Sequence, residues 1–76
     1  MKPVSLKNQL ACAARELDKR QRFYPRWIRE KKIKPEIAAY ETAAMAAIVA
    51  TLEKLVGLEE TSEAMRAEWQ KNHPAQ

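Results

Sequence analysis

The stretch RQRFYPRW, residues 20–27, decides the fold, because it sets three arginines, three aromatics and a proline inside what otherwise reads as one long helix. Before it, apolar residues recur at Leu6, Leu10, Ala13 and Leu17; after it, at Tyr24 and Ile28. Steps of three, four and seven residues trace a single stripe along an amphipathic helix. The stripe keeps its phase across Pro25. Had the proline ended the helix, nothing would hold Ile28 in line with Leu17. Pro25 removes one backbone hydrogen bond and presses on the carbonyl of Gln21, so the expectation is a continuous helix kinked at that point. A break, with Pro25 opening a new short helix, is the alternative.

Working outward, Ser5 suits the N-cap of this first helix. The segment REKKIKP, residues 29–35, reads as a turn. Pro35 fits the first position of the next helix, and it pushes Lys34 out of helical conformation. The second helix is expected to face the first with Ile37, Ala44, Ile48, Leu52 and Leu55, flanked by Met45 and Thr51. Gly57 marks a candidate C-cap. Beyond it, a short third helix is expected, capped by Thr61 or Ser62 and carrying Met65 and Trp69; a continuation of the second helix is the other reading. Residues 1–70 form one helical domain, and 71–76 a flexible tail.

The fold class is therefore all-α: an antiparallel helical hairpin with a kinked first helix, a long second helix and a short third one. A turn of about five residues favours antiparallel neighbours. At 76 residues a single core is only marginally stable. One cysteine excludes an internal disulfide, and one cysteine with one histidine cannot complete a zinc site. Self-association into a dimeric helical bundle is the expected remedy, and no cofactor or metal is expected.

Charge divides unevenly. Residues 1–35 hold 11 Lys and Arg against 3 Asp and Glu, whereas residues 36–76 hold 3 against 7. The basic half carries a ridge, Arg15, Lys19, Arg22, Arg26 and Arg29, whose alternating steps of four and three put all five cations on one helix face. No carboxylate falls in that series. The strip is roughly 21 Å long and suits an acidic protein surface or a phosphate backbone, or simply keeps the helix solvated. Phe23 and Trp27, four residues apart, form an aromatic edge beside it. Aromatics with arginine are the chemistry of interface hot spots and of base stacking, and they also widen a core face.

Glu41 interrupts the apolar face of the second helix and needs a partner to be tolerated there. In a hairpin it comes level with Tyr24 to Arg26, so the Tyr24 hydroxyl, Arg20 or Arg26 would satisfy it. Tyr24, Pro25 and Glu41 then set the register of the two helices, with Tyr24, Trp27 and Ile28 packed inward and Arg20, Arg22 and Arg26 pointing out. No second carboxylate or histidine is placed to share acid–base work with Glu41, Cys12 lies off the apolar stripe with no histidine near it, and no nucleophile motif is present. An enzyme is not expected. No run of about 18 apolar residues occurs and no export signal is read at the N-terminus, so the expected location is the cytoplasm.

From Glu16 to Leu55 the chain resembles a family of short phage and prophage helical proteins. The resemblance rests on Glu16 and Leu17, on the Tyr24-Pro25-Arg26-Trp27 core, and on Ala38, Glu41, Ala43, Met45, Ala47, Ile48, Thr51 and Leu52. That family usually carries a glycine in the turn and a Ser or Thr cap before the second helix, where this chain has Lys32 and Lys34. The resemblance implies a phage origin and action inside the bacterial host, and no particular chemistry. The expected function is binding to a host or phage protein with an acidic surface, such as a defence, replication or transcription factor, so as to inhibit or redirect it. A nucleic-acid-binding accessory protein and a virion assembly part are the alternatives.

Overall fold

The computed structural model describes residues 2–72, all of whose regular structure is helical. Helix α1 spans Leu6–Arg29 and helix α2 spans Pro35–Asn72. Ser5 caps α1: its extended backbone turns the hydroxyl oxygen to accept from the Asn8 N–H at 3.1 Å. Pro25 sits inside α1, which is unbroken there.

The end of α1 closes by a Schellman arrangement. The Lys31 N–H donates to the Ile28 carbonyl at 3.0 Å and the Lys32 N–H to the Trp27 carbonyl at 2.8 Å. Such a closure requires a left-handed residue just past the cap, and Lys31 takes it with φ 60°. Glycine usually fills that place. Arg26 and Arg29 in the last turn complement the negative end of the helix dipole. Pro35 then opens α2, and the Lys34 carbonyl accepts from the Ala38 N–H at 3.0 Å.

Two expectations are corrected along α2. Among the described residues there is no third helix, because α2 runs through Gly57 to Asn72. Glycine costs a helix interior only about 1 kcal/mol, and Gly57 does not adopt the positive φ that would end it. Thr61, a candidate cap, instead turns its hydroxyl back to donate to the Gly57 carbonyl at 2.8 Å. The tail expected from residue 71 is helical as far as Asn72, and the rest of it lies outside the described residues.

The second correction concerns the face of α2. Leu6, Leu10, Ala13, Leu17, Tyr24 and Ile28 of α1 are all buried or half-buried, as their spacing predicts. On α2, however, the inward row is Ala38, Thr42, Met45, Val49, Leu52 and Val56. Of the expected row, Ala44 and Leu52 are half-buried, as is the flanking Met45, whereas Ile37, Ile48 and Leu55 are 50%, 48% and 41% exposed. The observed row begins at Ala38, only 3% exposed, where a small side chain lets the helices approach next to the turn. Helix α2 therefore has two apolar rows, and the one with larger aliphatics is left outside.

Contacts between the helices come in reverse order along them: Arg20 meets Glu41, and Lys7 meets Glu60 at 3.3 Å. Residues 61–72 lie beyond this last contact and are all exposed. Ala13 and Ala38 are the only buried apolar residues described. The accessible surface is 6601 Å², against about 4,800 Å² for a compact monomer of this mass. The radius of gyration is 19.0 Å, against about 11 Å for a globular chain of this length. One chain does not enclose a core.

Candidate interaction surface

Arg15, Lys19, Arg22, Arg26 and Arg29 are all exposed, on the side of α1 opposite the stripe that meets α2. The helical periodicity that gathers the leucines inward gathers these cations outward. They are not, however, an uninterrupted strip of free charge. Arg22 pairs with Asp18 at 2.6 Å, and Arg26 with Glu30 at 2.7 Å. Both acids stand one turn from their arginines, off the ridge but within reach of it. Among the described residues, Arg15, Lys19 and Arg29 form no ion pair.

Glu30 is held by two cations, since Lys32 Nζ also approaches its carboxylate at 2.9 Å. The Arg26 hydrogen bond first, and the Lys32 bond second, keep the Glu30 carboxyl below its usual range. The basic end of α1 is thus partly neutralised, and the strongest unshared positive charge lies in its middle, at Arg15 and Lys19.

Phe23 and Trp27 stack with centroids 6.1 Å apart and an interplanar angle of 20°, and Tyr24 tilts onto Trp27 at 5.6 Å. Phe23 is 45% exposed and Trp27 38%. Tyr24 is half-buried and leads this cluster toward α2, so the edge joins the inter-helix contact to the surface. The aromatics line a shallow groove with Glu16, Lys19 and Arg20. The site therefore offers two flat rings beside a cation, a surface suited to docking. Among the described residues no three His, Cys, Asp or Glu side chains gather as metal ligands would.

Arg20 does not point outward as expected. It turns between the helices, where Nη1 donates to the Glu41 carbonyl at 2.7 Å and approaches the Glu41 carboxylate at 3.4 Å. Its Nε also donates to Glu16 at 3.2 Å. Arg20 was one of three candidate partners for Glu41, and it is the one used. Its position between Leu17 and Tyr24, four residues after Glu16, was the available signal. Cys12 is exposed and free.

Compared with known proteins, the chain matches no family model, no curated protein and no solved structure. No described helix is long and apolar enough to cross a membrane.

Proposed function

We propose that this chain is a non-catalytic binding protein of phage or prophage origin, acting in the bacterial cytoplasm. It docks on an acidic surface of a host or phage protein complex and inhibits or redirects it. The observation that carries this reading is the exposed basic face of α1. Arg15, Lys19 and Arg29 have no ion pair among the described residues, and the stacked Phe23–Trp27 edge borders them. Rim charges of this kind steer encounter, and partly exposed aromatics supply contact area.

In the fuller form of this reading, the two helices form an antiparallel hairpin. Two hairpins then associate into a four-helix bundle with the basic faces outward. The reversed order of contacts, Arg20 with Glu41 and Lys7 with Glu60, supports the hairpin. The exposed aliphatic row of α2 supports the bundle.

Binding to a phosphate backbone along the same face is the second reading, favoured by the length of the ridge. Affinity capture from bacterial lysate, with and without nuclease, separates the two. A defined protein retained after nuclease supports docking on protein. Recovery of nucleic acid, with an affinity that falls steeply with salt, supports the second reading and overturns the first.

A further inference from the structure

The exposed row of α2 is longer and more regular than a scatter of surface aliphatics. From half-buried Ala44, the exposed Ile48, Thr51, Leu55, Leu58, Ser62, Met65 and Trp69 follow one another in alternating steps of four and three. That is the seam of a coiled coil sustained over more than three heptads. Ile48, Leu58 and Met65 are 48%, 67% and 65% exposed. The row that meets α1 runs beside it, about 100° around the helix. A helix with two such rows is built to sit between two neighbours, and α1 supplies one of them. The surface in excess of a compact monomer, about 1,800 Å², is more than twice the roughly 800 Å² per partner that a standard interface buries.

We infer that this row pairs with the same row of a second copy, with the two α2 helices antiparallel and centred between Leu55 and Leu58. The inference rests on the dimer reading above and gives it a face, a register and a direction. In a two-fold pairing, residue i meets j and j meets i. One register makes every layer complementary. Leu55 meets Leu58 at the centre, Thr51 meets Ser62, Ile48 meets Met65, and Ala44 meets Trp69. Two hydroxyls face each other, and the largest side chain falls on the smallest. Glu41 comes to the end of the seam, opposite Asn72, near solvent.

The parallel arrangement fails on the same counts. It would stack Trp69 on Trp69 and Ala44 on Ala44, leaving a bulge and a gap. It would also bring Glu41 against its own copy, and like charges directly opposed are destabilising.

Charge and length point the same way. Residues 61–72 lie beyond the Lys7–Glu60 ion pair and are all exposed; three turns of helix are marginal without close packing. In the antiparallel dimer they lie along residues 41–52 of the partner subunit. The end of α2 from Glu59 to Asn72 carries four acids against two bases, and α1 carries seven bases against two acids. The antiparallel pairing brings each acidic end alongside the basic α1 of the other copy. The ridge on the far side of α1 stays open, twice per dimer.

The test uses the full chain with Cys12→Ser, Thr51→Cys and Ser62→Cys, mildly oxidised and digested with trypsin, which cuts between the two new positions at Lys54. On one helix these positions are about 16 Å apart, too far for an internal disulfide. The antiparallel seam predicts a covalent dimer in which the peptide holding position 51 is joined to the peptide holding position 62. Self-linked peptides, 51 to 51 and 62 to 62, overturn the orientation. Sedimentation equilibrium of the unmodified chain, independent of the variants, is expected to give twice 8.8 kDa. A monomer mass up to about 100 µM overturns the pairing and the dimer reading together, and assigns the row to another partner.

Discussion

Arg20 holds Glu41 twice, by its carbonyl at 2.7 Å and by its carboxylate at 3.4 Å, across 21 residues of sequence. The stronger of these contacts goes to the main chain. A carbonyl inside a helix keeps a second lone pair, and a charged donor uses it well. The register of α1 on α2 therefore depends more on the arginine than on the acid.

Arg20→Met should lower stability by about 1–2 kcal/mol in urea unfolding, since it removes a charge-assisted bond and both carboxylate contacts. Glu41→Gln should cost less than about 1 kcal/mol, because the carboxylate is 43% exposed and the carbonyl contact survives. Equal losses in the two variants would contradict this assignment.

Lys31→Gly should stabilise the chain by about 0.5–1 kcal/mol. Lys31 occupies the left-handed place that closes α1, where a side chain is penalised and glycine is not. The unfolding midpoint should rise with an unchanged denaturant slope. A fall in the midpoint would mean that the turn is not closed in this way.

Pro25→Ala should restore the hydrogen bond denied to the Gln21 carbonyl and raise stability, by up to about 3 kcal/mol. Thermal unfolding followed by circular dichroism reads the change. No gain would show that Pro25 is itself needed for packing near Tyr24 and Ile28.

Glu30 gives the acid limb of the stability curve a defined contribution. Its carboxyl is held below its ordinary value of 4.5 by Arg26 and then Lys32, so the folded chain binds this proton less readily than the unfolded one. The stabilisation is present above the ordinary value and is lost as pH falls through the lowered one. Carboxyl-carbon NMR titration should show Glu30 titrating below 4.5, and Arg26→Gln should move it upward. A Glu30 that titrates normally would remove the pairing.

The first helix was legible because it is amphipathic in a simple way: one apolar stripe, one basic ridge, and Ser5 in front. Its six stripe residues are all turned toward α2, with Arg20 among them. The second helix was not, because it carries two apolar rows. Side-chain size favoured Ile37, Ile48 and Leu55, yet the turn brings Ala38 against α1 and fixes the neighbouring row inward. Hydropathy ranks rows by how apolar they are; it does not say which neighbour each one meets. Gly57 misled for a related reason, since a glycine ends a helix only where the chain takes a positive φ. On the ridge, the ion pairs of Arg22 and Arg26 were readable from the four-residue steps to Asp18 and Glu30. Arg20 was hidden by its likeness to the cations around it.

The most direct measurement of the central claim is binding of the captured partner to an Arg15→Glu, Lys19→Glu double variant. Neither residue forms an ion pair among the described residues, so the reversal breaks no described ion pair. Both positions lie in the middle of α1, clear of the terminal turns where the helix dipole acts, so its circular dichroism should change little. The basic-face account predicts at least a tenfold loss of affinity, about 1.4 kcal/mol, with helicity intact. Undiminished binding by the reversed variant would contradict it.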